Sequence, residues 1–199
     1  MKKMILLLLL LTITNTVSAA GRKNKGHRLG GGKGSLSANL PENSLQALEA
    51  LYQKYGAETK NWGTIEFDLR ETGDGVLVAM HDGYLLGPAG ELKKVKQMTY
   101  SELKKYAPLV PTMTEVLDSI KRFHSETKIF VEIKSLLSDF AREQMIALVD
   151  ELRLTHARVK YGAFRGNFKR SFPRDKKKWC KKLRKVIALE IYFKNHCRR

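Results

Sequence analysis

Two carboxylates, Glu66 and Asp68, stand two residues apart in the run Thr64 to Asp82, TIEFDLRETGDGVLVAMHD. Side chains two apart on a strand share a face, so these two point one way while Ile65, Phe67 and Leu69 point the other. Two oxygen ligands held side by side suit one hard cation. The run returns to His81 and Asp82, with Leu77, Ala79 and His81 on one strand face. Asp74-Gly75 is a two-residue hairpin signal, whereas a parallel crossover would need about a dozen residues. Closing that turn with Gly73 opposite Val76 predicts Asp68 opposite His81, which sets an imidazole beside a carboxylate pair. The alternative is an ordinary hairpin with a solvated polar face, because Glu, Asp and His all occur on exposed strands. An EF-hand loop is excluded, since Arg70 and Thr72 follow Asp68 where acids are required. Further on, Lys128 to Lys134 reads KIFVEIK and puts Phe130, Glu132 and Lys134 on one face. A Glu and a Lys on so apolar a strand are costly to bury unless paired with each other or bound to something.

The elements that must position these groups follow from apolar periodicity. Pro41-Glu42-Asn43-Ser44 opens a helix, with Asn43 or Ser44 as its cap and Leu45, Ala47, Leu48, Leu51 and Tyr55 as its stripe. Glu42 is either a ligand or a favourable charge at the positive helix end. Further helices are predicted from Met98 to Ala107, from Met113 to Phe123 with Thr112 or Thr114 as cap, and from Ser138 to Leu152. Strands alternating with helices predict an α/β layer architecture. Ahead of the first helix, Gly21 to Gly34 contains His27, Arg28 and three successive glycines. Such backbone can approach a phosphate closely and Arg28 can fork onto its oxygens, or the segment is a linker.

At 199 residues and 43% hydrophobic, the chain suffices for one ordinary core. Its net charge of +17 is unevenly placed: from His156 onward stand 16 of the 37 Lys and Arg, against only Asp175 and Glu190. Both cysteines, Cys180 and Cys197, also lie there, so no cysteine framework holds the body together. Lys2 and Lys3 precede an apolar run from Met4 to Ile13 and the small-residue site Val17-Ser18-Ala19. That pattern predicts a signal peptide over residues 1–19 and an exported protein, periplasmic or secreted. The run falls short of the ~20 residues of a membrane-spanning helix.

His27-Arg28 followed by glycines, Pro41-Glu42-Asn43-Ser44, Glu66-x-Asp68, Thr72-x-Asp74-Gly75, His81-Asp82, Pro111-Thr112 and Val131-Glu132-Ile133-Lys134 occur in that order. Together they resemble the glycerophosphodiester phosphodiesterase family, from about His27 to Leu152. The resemblance implies a TIM-type (β/α) barrel and hydrolysis of glycerophosphodiesters to glycerol 3-phosphate and an alcohol. It implies that His27 and His81 are the general acid and base, a role suited to imidazole. Glu66, Asp68 and Glu132 would ligate a divalent cation, calcium first and magnesium second, since every ligand is a hard oxygen. Arg28, Glu42 and Lys134 would bind substrate or phosphate. Two departures stand out: Leu29 intrudes between Arg28 and the glycines, and the segment before His27 is polar where the family has an apolar first strand.

A barrel of this type usually needs ~200 to 250 residues, and the readable body stops near Leu154. The sequence therefore divides into a signal peptide (1–19), an N-terminal part of the barrel (20–154), incomplete in its strands, and a basic tail (155–199). No strand-helix alternation is expected after Thr155. The tail interleaves Phe164, Phe168, Phe172 and Trp179 with Lys and Arg, a pattern that fits anionic lipid, with nucleic acid the less expected partner. Trp179, Leu183, Val186, Ile187 and Ile191 could instead line a cationic amphipathic helix at a membrane surface. A shifted reading frame would also produce so abrupt a change. A second function class follows: a catalytically impaired or non-catalytic exported protein whose basic tail, residues 158–199, binds anionic membrane or nucleic acid.

Overall fold

A computed structural model of the chain describes residues 26–32, 39–56, 64–123, 127–151, 159–174 and 176–186. The expected export signal, Ile187, Ile191 and Cys197 lie outside those residues. The strands are β1 (Ile65–Glu71), β2 (Leu77–Ala79), β3 (Tyr84–Leu86), β4 (Leu92–Lys94), β5 (Ile129–Ser135) and β6 (Val159–Gly162). The helices are α1 (Leu45–Tyr55), α2 (Tyr100–Tyr106), α3 (Met113–Phe123), α4 (Asp139–Glu151), α5 (Arg165–Ser171) and α6 (Lys176–Val186).

One sheet runs in the order β2-β1-β5-β6, and β3 pairs with β4 in a separate hairpin. β1, β5 and β6 are parallel neighbours, joined by helical crossovers, and β2 is antiparallel to β1. Alternation decides which side chains each strand gives to the core. Ile65, Phe67, Leu69, Ile129, Val131, Ile133, Val159 and Tyr161 are all buried in one apolar cluster with Leu48, Leu51, Val116, Leu117, Met145 and Val149 from the helices. The other face carries Glu66, Asp68 and Arg70 from β1 and Phe130, Glu132 and Lys134 from β5. The register sets Asp68 beside Glu132 and Glu132 beside Gly162.

The hairpin after β1 differs from its expected form. Leu69 pairs with Ala79, Arg70 with Val78 and Glu71 with Leu77, one residue away from the expected register. The turn is therefore a three-residue loop, Gly73-Asp74-Gly75, closed by the bond from Thr72 N–H to the Val76 carbonyl at 3.0 Å, with Gly75 left-handed at φ 86°. Three-residue loops of this kind place their glycine where φ must be positive. A one-residue slip exchanges the two faces. Leu77 and Ala79 join the main core, while Val78 and Met80 join a second cluster with Val95, Met98 and Leu103. His81 lies beyond the end of β2, in a bend.

Local capping agrees closely with the residue types. Ser44 caps α1 by accepting from Ala47 N–H at 3.2 Å. Thr99 and Glu102 form a capping box on α2, and Thr112 and Glu115 exchange the same bonds at the start of α3. Buried Glu71 accepts from the Leu137 and Ser138 N–H groups and from the Ser138 hydroxyl, which ties the β5–α4 turn to the end of β1.

Strand-helix alternation continues past Thr155, contrary to expectation, as β6, α5 and α6. Phe168, Phe172, Trp179 and Leu183 are buried in the main core, and Lys169, Arg170, Lys177, Lys178 and Lys181 are exposed. The basic residues had masked an ordinary i, i+4 core stripe, since Phe168 with Phe172 and Trp179 with Leu183 are each four apart. Three of the four aromatics that a membrane or nucleic acid would require are thus inside the protein. Arg142 binds this layer to α4. Its guanidinium donates to the Ser171 and Leu136 carbonyls and lies 5.8 Å and 5.9 Å from the Phe172 and Trp179 rings. Leu183→Ala is accordingly expected to lower stability by about 2–3 kcal/mol in urea unfolding. A detached basic tail would lose nothing measurable. Among the described residues no helix is long and apolar enough to cross a membrane.

Candidate active site

The β1 and β5 inner faces supply the carboxylates, and two loops close over them. His27 to Gly30 forms a short 3-10 turn in which Arg28 and Leu29 take positive φ, 50° and 58°. Such a conformation in non-glycine residues costs energy of order 1–3 kcal/mol each and needs compensation from its surroundings. Here Leu29 is fully buried in the main core, and the Arg28 N–H donates to Glu66 Oε2 at 2.8 Å. The intruding Leu29 thus becomes the anchor of the segment rather than a disturbance to it. On the other side of the turn, the Gly26 carbonyl accepts from Glu66 N–H at 2.9 Å.

Seven of the eight residues singled out from the sequence form one chain of contacts. His27 Nε2 lies 3.6 Å from Glu66 Oε2. The Arg28 guanidinium binds Glu42 and approaches Asp68 Oδ2 at 3.6 Å. Lys134 Nζ bridges Glu132 Oε1 at 2.6 Å and Asp68 Oδ1 at 3.0 Å. Carboxylate oxygens of Glu66, Asp68 and Glu132 lie within 4.8 Å of one another. The eighth residue, His81, stands apart: its Nδ1 bonds Asp82 Oδ1 at 2.8 Å. Its expected place opposite Asp68 is taken in register by Met80, whose N–H donates to the Asp68 carbonyl.

Asn43, read from the sequence only as a possible cap, has a second role. Its amide donates to Asp68 Oδ2 at 2.9 Å and its oxygen accepts from Asp68 N–H at 3.1 Å, fixing that carboxylate in both directions. Asn43 itself sits at φ 57°, and its N–H donates to the Arg28 carbonyl. An Asn tolerates this left-handed conformation better than most residues, which was the available signal. Arg70 was missed as well; its guanidinium binds the His81 carbonyl.

Electrostatically the cluster is strained. Burial, followed by repulsion from Asp68, pushes the Glu66 carboxyl up to about 8. Burial and the neighbouring Arg28 charge lower the His27 pKa. Glu66 Oε1 is buried without a hydrogen-bond partner, and so is Arg28 Nε. A divalent cation among the three carboxylates would offset their repulsion and occupy the orphaned Glu66 oxygen, so the donor set fits a hard metal ion. Arg28 Nε makes no hydrogen bond but faces the Asp68 carboxylate at 3.6 Å.

Residues 34–193 match the glycerophosphoryl diester phosphodiesterase family. The chain belongs to that family. Within it, the fold is similar to a glycerophosphodiester phosphodiesterase from Parabacteroides distasonis, with 26% identity, a TM-score of 0.52, and coverage of 74% of this chain and 60% of that one. A solved structure from Galdieria sulphuraria gives 20% identity and a TM-score of 0.58 over 79% and 59% of the two chains. The glycerophosphoryl diester phosphodiesterase domain of a Mycobacterium tuberculosis protein gives 13% and 0.54 over 84% and 59%. The chain therefore shares the α/β, TIM-type architecture of its family, and spans about three fifths of the length of these relatives. The family match continues through β6, α5 and α6, in agreement with their place in the core. No match is found among curated proteins.

Proposed function

We propose that the protein is an exported, calcium-dependent phosphodiesterase that hydrolyses glycerophosphodiesters to glycerol 3-phosphate and an alcohol. One observation carries the reading: three converging carboxylates, one with an orphaned buried oxygen, lie beside a histidine and an arginine. Family membership supports the substrate class. Glu66, Asp68 and Glu132 would hold the cation, with calcium preferred because the ligands are hard oxygens and the N-terminus reads as an export signal. When bound, it supplies Lewis-acid polarisation of a phosphoryl oxygen.

The chain's own groups divide the remaining work. Arg28 and Lys134 neutralise phosphoryl charge, and Glu42 holds the Arg28 fork in place. His27, whose side chain is more than half exposed to solvent, is the base. Its lowered pKa favours the neutral imidazole, which removes the proton from the substrate glycerol's own hydroxyl as that oxygen attacks phosphorus. His81 acts as acid in its imidazolium form: Nδ1–H donates to Asp82 and Nε2–H gives its proton to the departing alcohol oxygen, which leaves the neutral ring. Water then opens the cyclic phosphate, with the proton transfers reversed.

Release of glycerol 3-phosphate from glycerophosphocholine tests the reading, with calcium and with chelator. Calcium-dependent release is expected, and His81→Ala should lower it by about a hundredfold. A folded, calcium-loaded sample with no turnover above the His81→Ala background would sink it.

A further inference from the structure

β2 ends at Ala79, and the ladder to β1 ends with the Leu69–Ala79 pair. Met80 still donates to β1, but His81 lies beyond the last rung, in a bend. A residue in such a place is held by whatever receives its backbone groups. The His81 carbonyl is taken by Arg70, whose Nε and Nη2 donate to it at 2.9 Å and 2.5 Å. Two donors of one planar guanidinium on one acceptor fix direction as well as distance. Arg70 shares the face of β1 that carries Glu66 and Asp68, so this bond refers the His81 backbone to the strand that holds the carboxylates. The guanidinium also packs against the bend: a methyl group at Gly83 would stand 3.2 Å from Arg70 Nη1. An arginine serving only as a solvated strand residue would be exposed, whereas Arg70 is half-buried and both bonds are partly shielded from water.

We propose that Arg70 is a positioning residue, which places the His81 imidazole relative to the carboxylate cluster by clamping the His81 backbone carbonyl. The functional part of this inference rests on His81 acting in proton transfer. Arg70→Met keeps the apolar stem and removes the donors, and Arg70→Lys restores one donor.

In the full chain with calcium, Arg70→Met is expected to lower kcat by about tenfold to a hundredfold, because a misplacement of ~1 Å is enough for such a loss. KM for glycerophosphocholine should stay within about threefold, and Arg70→Lys should recover part of kcat. Nuclear magnetic resonance of the five labelled histidines supplies a reading independent of turnover, with His81 assigned through His81→Ala. The His81 ring signals should shift in Arg70→Met and move back in Arg70→Lys, while those of His27 stay in place. An unmoved His81 ring in Arg70→Met overturns the clamp whatever the activity. A loss of calcium affinity as large as the loss in kcat also overturns it, since the arginine would then act on the cluster. Arg70→Met with unchanged kcat beside an inactive His81→Ala rejects the inference and keeps the acid/base reading. Full activity in His81→Ala rejects that reading instead, and the ring signals alone then decide whether Arg70 places the imidazole.

Discussion

Asp68→Asn is expected to lower phosphodiester turnover by about a thousandfold, equivalent to ~4 kcal/mol of lost transition-state stabilisation, and to weaken calcium binding with it. The residue is 1% exposed and both of its carboxylate oxygens have a donor. Asn43 donates to one oxygen and Lys134 to the other. An amide of the same size keeps the packing but has one acceptor for two donors, and removes one of three charges from the cation site. Lys134 retains Glu132 at 2.6 Å, so the fold should persist with only a small change in melting temperature. Calorimetric calcium titration and turnover are the measurements. Unchanged calcium affinity in a folded Asp68→Asn sample would remove Asp68 from the ligand set.

Without metal, the protein should become less stable as pH rises from about 5 to 8, and calcium should remove most of that slope. Glu66 in the folded chain titrates at about 8, against 4.5 for an ordinary glutamate. Between those values the folded state holds a proton that the unfolded state releases. The stabilisation is complete below the unfolded pKa and is lost as pH climbs through the folded one, by up to about 1.4 kcal/mol per pH unit. His27 acts in the opposite sense around its ordinary 6.5, because its folded pKa is lowered, so the folded state gains there as pH rises. Glu66, with the larger displacement, should dominate. Calcium binds the ionised carboxylate, so its apparent affinity should increase toward pH 8. Thermal unfolding at pH 5.5, 7 and 8, in chelator and in calcium, reads both effects. A flat or rising stability in chelator would mean that Glu66 is already ionised and satisfied in the metal-free protein.

Much of this site could be read from residue spacing. Period-two alternation put Glu66 with Asp68, and Glu132 with Lys134, on faces that the parallel β1–β5 register then brought together. Three misreadings have physical causes. Asp74-Gly75 suits a two-residue loop, but the turn has three residues, and the extra one moves every partner on β2 by one and takes His81 away from Asp68. The segment beyond Thr155 was judged by its charge, yet lysines occupy only the solvent side of helices whose aromatic stripe completes the core. Leu29 looks like an interruption in sequence, because nothing local shows that a left-handed pair can turn its side chain inward. The grip of Asn43 on Asp68 and that of Arg70 on His81 are not legible in the spacing, because their partners are a carboxylate 25 residues away and a backbone carbonyl.

The parallel pairing of β1 with β5 also constrains the order of events during folding. Glu66 and Asp68 lie on one strand, but Glu132 arrives only when β5 docks, and the Glu71 bond to Leu137 that finishes this docking joins residues 66 apart in the chain. Non-local parallel pairing is slow to form, since the loop between the strands must be closed before any contact rewards it. Helix α1 and the β1–β2 hairpin can assemble earlier from near neighbours, carrying two carboxylates that repel each other. The three carboxylates are therefore brought together only when β5 docks on β1, a late step by the sequence separation it must close.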